Sequence, residues 1–388
     1  MMPRDDNLPL QAAKAVLTNA RVVLPNEVVT ASLQIADGTI GAIDQSPASA
    51  AEDLEGDYLL PGLVELHTDR LEGHLQPRPK VAWPTASAIL AHDAELTAAG
   101  ITTVLDSLRI GDTPKEDSNL RRLRDCRDSL RDLTGEGLLR ADHYLHIRCE
   151  LACPGVVEHL AEFLEDPRLI LVSLMDHTPG QRQFVHMDAF WTYYQGRYNL
   201  SHTEMEAYVA AKLEEHERWG KPNRPRAAGI CRERNMTVAS HDDATQAHVE
   251  EAAAFGLTIS EFPTTVEAAS AARRHGLGTV GGAPNLVRGG SHSGNVSVGE
   301  LAQRNLVDAL ASDYVPASLL QGAMLLHTRF GYSLPSAVAT VSTNPARMVG
   351  FDDRGEIALG KRADLVQVRL HGGLPVVRKV WRAGRRVI

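Results

Sequence analysis

Leu59-Leu60-Pro61-Gly62-Leu63-Val64-Glu65-Leu66-His67-Thr68-Asp69 is an apolar run that ends in a polar pair. A Pro-Gly turn opens it, and Leu60 to Leu66 reads as a buried strand. Side chains two apart on a strand point the same way. His67 and Asp69 are therefore expected to project together from the strand's C-terminal end. One imidazole nitrogen and one carboxylate on one face make a two-donor start for a divalent metal. The same triplet also suits a plain hydrogen-bonded pair at a strand end, so the surrounding chain has to decide.

On the N-terminal side, Val16–Leu24, Ala31–Ile35 and Thr39–Ile43 are short strands joined by tight turns such as Asp37-Gly38, the pattern of a small antiparallel sheet. The C-terminus mirrors it with Lys361–Val368 and Val376–Val387. Strands at both ends predict one small β-sandwich domain built from residues 14–60 and 350–388, with the centre inserted; residues 1–13 read as a disordered tail. In the centre, strand and helix alternate. Apolar runs at Thr102–Ser107, His143–Glu150, Leu169–His177, Met236–Asp242, Leu257–Phe262, Gly278–Ala283 and Leu306–Asp313 end in polar residues. Helical stretches such as Asp117–Leu133, Ala244–Phe255 and Thr265–His275 separate most of them. With the opening strand this makes eight units, which predicts an α/β fold: a (β/α)8 TIM-like barrel over residues 61–349, with its site at the strands' C-terminal ends. Residues 178–226 break the rhythm as a polar insertion bearing Trp191, Tyr193, Tyr194 and Tyr198, placed where a lid over the site belongs.

The 388 residues are 43% hydrophobic, with 40 basic against 49 acidic side chains and a net charge of −9. That balance argues against general nucleic-acid binding, which needs a basic footprint. The four cysteines, Cys126, Cys149, Cys153 and Cys231, form neither a zinc spacing nor a disulfide framework. No apolar signal core or membrane-length span is visible. A reducing, cytoplasmic location is expected. Neither nucleic acid nor membrane is expected as a partner, and a second copy of the chain is possible.

Polar residues at strand ends collect the chemistry: His67 and Asp69, Glu150, His177, His241 and Asp313. A mixed nitrogen and oxygen donor set suits zinc first, with Mn, Fe or Co as alternatives, rather than an all-oxygen calcium site. A carboxylate shared between two ions would hold them close together and lower the pKa of a bound water to about 7. A second, cationic set follows the Gly278–Ala283 strand: Gly281-Gly282-Ala283-Pro284-Asn285-Leu286-Val287-Arg288-Gly289-Gly290-Ser291-His292-Ser293. Its glycines expose backbone N–H groups, and Arg288, Ser291, His292 and Ser293 add donors of the kind a phosphate chain needs. Arg78, Lys80 and Arg182 add cations near the same strand ends. The G-x-x-x-x-G-K-[ST] phosphate loop is absent.

The order of small β domain, barrel and small β domain, the Pro-Gly-x-x-x-x-His-x-Asp opening, Asn344-Pro345-Ala346 and Gly360-Lys361-Arg362-Ala363-Asp364-Leu365-Val366 resemble the amidohydrolase superfamily. Longer stretches resemble the alpha-D-ribose 1-methylphosphonate 5-triphosphate diphosphatases of the carbon–phosphorus lyase pathway. These are Pro77-Arg78-Pro79-Lys80-Val81-Ala82-Trp83-Pro84, Leu174-Met175-Asp176-His177-Thr178-Pro179-Gly180-Gln181-Arg182, Ser240-His241-Asp242-Asp243-Ala244-Thr245 and Glu261-Phe262-Pro263-Thr264-Thr265. Arg70 departs from the asparagine expected after His-Thr-Asp. The resemblance implies metal ligation by His67, Asp69, Glu150, His177, His241 and Asp313, with Glu150 bridging two ions. Asp313 would double as the base, with Asp242 or His292 next in line. It further implies hydrolysis of a sugar triphosphate with release of pyrophosphate, while a cyclic amidase or deacetylase is the alternative on this scaffold. His177 and His241 fall on the fourth and fifth strands of this count, one earlier than is usual in the superfamily.

Overall fold

A computed structural model describes residues 14–46, 51–111, 116–182, 191, 195, 201–291 and 294–388; of 116–119 only the backbone course is given. The expected tail, residues 1–13, lies outside them, as does much of the expected lid.

Two sheets organise the chain. The first takes β1 (Ala15–Val23), β2 (Val28–Ala36), β3 (Thr39–Asp44), β4 (Glu52–Asp53) and β5 (Tyr58–Pro61) from one end of the sequence. From the other end come β14 (Leu365–His371), β15 (Leu374–Arg382) and β16 (Arg385–Arg386). Their order is β16-β15-β14-β5-β1-β2-β3, with β4 on β1. β14 meets β5 antiparallel, Leu365 opposite Pro61, while β1 and β5 run parallel. Leu17, Leu33, Ile40, Leu59, Leu365 and Trp381 build one buried core beneath this sheet. Each such side chain contributes about 1.5–3 kcal/mol on burial.

The second sheet is an eight-stranded parallel barrel in the order β13-β12-β11-β10-β9-β8-β7-β6. Its strands are β6 (Leu63–Thr68), β7 (Ile101–Ile110), β8 (Asp142–Glu150), β9 (Leu169–Met175), β10 (Thr237–His241), β11 (Ile259–Glu261), β12 (Gly278–Gly282) and β13 (Ala309–Ala311). Helices such as Gln246–Ala254 and Val266–Arg274 fall between strands, each opened by a threonine whose side chain accepts the N-terminal N–H. A parallel bridge between Thr68 and Asp313 links the first strand's end to the residues after the last.

The opening run is not one strand. Pro61 ends β5 in the small sheet and Leu63 begins β6 in the barrel. At Gly62 between them, a Cβ would stand 2.2 Å from Thr102 Oγ1 and 2.8 Å from Asp364 Cβ. Only a residue without a side chain lets the chain pass there.

The chain condenses into two compact units. The first runs to Asp106 and adds Asp125–Tyr144 and Ala309–Ile388; it holds the small sheet, β6 and β13. The second comprises Ser107–Arg124 and Leu145–Asp308 and holds β9 to β12. Of the insertion, helices His202–Glu215 and Lys221–Glu233 are described, joined by the wider turn His216–Gly220. All four cysteines are buried.

Candidate active site

Within the first unit, backbone hydrogen bonds gather three of the predicted ligands. His67 is fully buried near the end of β6. Asp69 lies beyond the strand, at φ −99° and ψ 12°, as the N-cap of helix Arg70–Leu75. Strand alternation therefore does not relate the pair. Asp313 does: its N–H donates to the His67 carbonyl at 3.0 Å. Its own carbonyl accepts from the Asp69 N–H at 3.1 Å and the Thr68 hydroxyl at 2.7 Å. Asp313 takes φ +54°, a left-handed conformation that aspartate tolerates better than most residues. Behind them Glu65, fully buried, accepts the His67 and Ser312 N–H groups, each at 2.8 Å. Burial pushes its carboxyl up to about 7, against the pull of those bonds.

Within the second unit, side chains do the gathering. His177 Nδ1 lies 2.6 Å from Glu150 Oε2, and its backbone N–H donates to Glu150 Oε1 at 3.1 Å. Arg109 Nη2 stands 3.2 Å from the same carboxylate and 3.0 Å from His177 Nδ1. Burial opposes ionisation of Glu150, yet His177 and Arg109 hold its carboxyl well below the usual range. His241 Nδ1 lies 2.8 Å from Glu261 Oε2, and its ring meets Phe262 edge-on at 5.5 Å. The other ring nitrogens converge. His241 Nε2 is 3.3 Å and His177 Nε2 3.8 Å from Asp242 Oδ2. One donor atom each of His177, His241 and Asp242 falls within 4.8 Å of the others. Two imidazoles and a carboxylate this close are the donor chemistry of a first-row divalent ion. Burial pushes the His241 pKa down, with Asp242 and Glu261 only partly offsetting it, so the ring stays in its neutral, ligating form.

The predicted cations differ in their surroundings. Arg182 is buried, paired with Asp243 and, at 3.3 Å, with Glu251. Arg78 and Lys80 are exposed on a tight turn closed by Val81 N–H to the Arg78 carbonyl at 3.0 Å, with Lys80 at φ +66°. Arg288 is exposed at the end of a short helix, Ala283–Arg288, where a glycine loop was expected. Pro284 sits in its first turn and Gly289, at φ +80°, stops it. Ser291 follows, half-buried, and His292 and Ser293 lie outside the described residues. Arg70 turns to Glu95 at 2.9 Å, which also binds His74. Sequence reasoning passed over three residues that the structure brings to the site: Asp242 as a donor, Glu261 and Arg109. Glu261 ends an apolar run just as Glu150 does, so the same strand-end criterion reaches it.

Residues 196–388 match the Amidohydrolase family. Over 96% of this chain and 100% of the relative, the sequence is 47% identical to the alpha-D-ribose 1-methylphosphonate 5-triphosphate diphosphatase of Escherichia coli (strain K12). The chain belongs to this diphosphatase family of the amidohydrolase superfamily. Solved structures share its fold at much lower identity. The N-acetyl-D-glucosamine-6-phosphate deacetylase of Mycobacterium smegmatis aligns with TM-score 0.64 and 17% identity, over 97% of this chain and 100% of that one. The dihydropyrimidinase of Brevibacillus agri NCHU1002 aligns with TM-score 0.60 and 13% identity, over 97% and 95%. The diphosphatase chain places His177 on the fourth barrel strand's end and His241 on the fifth, as counted from the sequence. Amidohydrolases use divalent metals, and the His177–His241–Asp242 set is a candidate for one. Among the described residues, no helix is long and apolar enough to cross a membrane.

Proposed function

We propose that this chain is a metal-dependent phosphoanhydride hydrolase that converts alpha-D-ribose 1-methylphosphonate 5-triphosphate to the 5-phosphate and pyrophosphate in phosphonate catabolism. The observation that carries this reading is the full-length similarity to the Escherichia coli diphosphatase. The donor geometry supports it, because a neutral His241 beside His177 and Asp242 is chemically apt for a divalent ion. We assign zinc, as two ions: His67, Asp69 and Asp313 supply one set of donors, and His177, His241 and Asp242 the other. Glu150, a bridging ligand by resemblance, also meets His177 and Arg109 and holds the His177 ring. When bound, the metal supplies charge to polarise a phosphoryl oxygen and to acidify the attacking water.

The chain's own residues do the rest. The Asp313 carboxylate takes a proton from the water that attacks the α-phosphorus, and later returns it to the departing pyrophosphate oxygen. The α–β anhydride bond breaks and no other. Arg288, Arg78 and Lys80, exposed and able to meet phosphate oxygens, bind the triphosphate, with Ser291 donating a hydroxyl. Arg182, saturated by Asp243 and Glu251, instead fixes the loop after His241. The substrate is thus a phosphorylated sugar, with neither nucleic acid nor membrane as partner. Hydrolysis of an uncharged cyclic amide gives these cations no task. The test is incubation of the purified enzyme with the ribose triphosphate and quantification of pyrophosphate against orthophosphate. One pyrophosphate per turnover is expected; orthophosphate alone, or turnover of an N-acetyl sugar phosphate instead, overturns the assignment.

A further inference from the structure

We infer that Glu261 is a positioning residue for His241, itself aligned by a buried chain through Ser173, His146 and Ser107. The inference rests on His241 holding a metal, as proposed above. All five side chains are buried within the second unit. Glu261 Oε2 accepts from the Ser173 hydroxyl at 2.8 Å and lies 2.8 Å from His241 Nδ1. Ser173 Oγ is 2.5 Å from His146 Nε2, and His146 Nδ1 is 3.1 Å from Ser107 Oγ.

Donor counting orders the hydrogens along this path. An ionised glutamate only accepts, so Ser173 must spend its single O–H on it. Ser173 Oγ can then only accept from His146, which places a proton on His146 Nε2. A neutral His146 has its lone pair on Nδ1, which takes the Ser107 hydroxyl. At the other end the same carboxylate requires a proton on His241 Nδ1. That fixes the tautomer: the Nε2 lone pair of His241 points into the set shared with Asp242 and His177. A carboxylate behind a ligating imidazole also raises its basicity, and losing such a partner commonly costs 10–100-fold in metal affinity.

The experiment is titration of metal-stripped wild type, Glu261→Ala, Glu261→Gln and Ser173→Ala with Co²⁺ alone. Visible absorption gives stoichiometry, chelator competition gives affinity, and ¹⁵N-histidine NMR gives the His241 tautomer. Glu261→Ala should keep the wild-type stoichiometry, bind roughly 10–100-fold more weakly, and lose the single Nδ1–H tautomer of His241. Glu261→Gln, which keeps an oxygen acceptor, should recover part of both, and Ser173→Ala should show a smaller loss. Wild-type affinity in a folded Glu261→Ala overturns the inference. So does a missing cobalt equivalent in Glu261→Gln, which would make Glu261 a ligand in its own right. If the alanine variant does not fold, Ser173→Ala decides: unchanged affinity and tautomer overturn it. Wild type that takes up no cobalt overturns the metal assignment beneath it, a result distinct from the others.

Discussion

Each compact unit buries a cluster of two histidines with carboxylates, and the two clusters are electrostatic opposites. In the first unit, His143 is flanked on both nitrogens, by Asp106 at 2.7 Å and Asp93 at 3.4 Å. Asp106 also binds His92 at 2.8 Å, and Asp93 accepts the Arg140 and Ala141 N–H groups at 2.8 and 2.9 Å. Burial alone would depress the His143 pKa, but Asp106 and Asp93 win and raise it to about 10. Asp106 is held far below the carboxylate range in spite of its own burial. His143 is thus a buried cation answered by two carboxylates, while burial pushes the pKa of His92 beside it down. In the second unit, carboxylates back the Nδ1 atoms of His177 and His241, and the Nε2 atoms converge on Asp242. There burial wins and His241 stays neutral. Where the flanking carboxylates outweigh burial the imidazole is a structural cation, as at His143; where burial outweighs them it stays neutral and able to ligate, as at His241.

That contrast can be broken from either side. The largest effect is expected in the second unit: His241→Ala should reduce turnover to background and lose at least one metal equivalent while the circular dichroism is kept. Full metal content in the purified variant would end the ligand assignment. Next comes Asp313→Asn, which keeps size and one oxygen but cannot accept the proton. Its rate should fall by roughly 10²–10⁴ with metal content held near that of wild type, and near wild-type turnover would move the base elsewhere. The smallest effect on activity, and the clearest on stability, belongs to the first unit. Asp106→Asn leaves His143 facing one lost charge, and breaking a buried pair costs about 3–5 kcal/mol. Denaturant midpoints should show it while turnover per folded molecule stays unchanged. The pH dependence sharpens the point. A raised histidine contributes fully below its ordinary value of 6.5 and loses that contribution as pH climbs through about 10. Wild-type midpoints should therefore decline over that window, and the decline should flatten in Asp106→Asn. An equal slope in both proteins would remove His143 from the account.

The barrel was legible because its strands are apolar runs with polar ends, and those runs survive as β6 to β13 with ends moved by a few residues. What escaped depends on distant parts of the chain. Gly62 divides the opening run only because Thr102 and Asp364 crowd it, and neither is near it in sequence. His67 and Asp69 were paired by strand alternation, whereas Asp313, which follows the last strand, joins them through its backbone. The helix Ala283–Arg288 hid behind its glycines, although Pro284 after Ala283 was a readable start signal. Asp242 gave no periodic signal, since its place follows from a left-handed turn at φ +56°.

The antiparallel contact between β5 and β14 also sets a timetable. Pro61 pairs with Leu365, 304 positions later (365 minus 61). At ~5–20 residues per second, a ribosome needs roughly 15–60 s to cover that distance. Through all of it one edge of β5 has no strand beside it, and Asp57 waits for Gln367 and Arg369, each of which will reach it at 2.8 Å. Open edges invite pairing with other chains. Nascent chains stalled before Leu365 should accordingly be cleaved by protease around Tyr58–Pro61 and captured by chaperones, and chains released past Arg369 should not. Protection of that segment in the shorter chains would show that something else covers β5 while the rest of the molecule is being made.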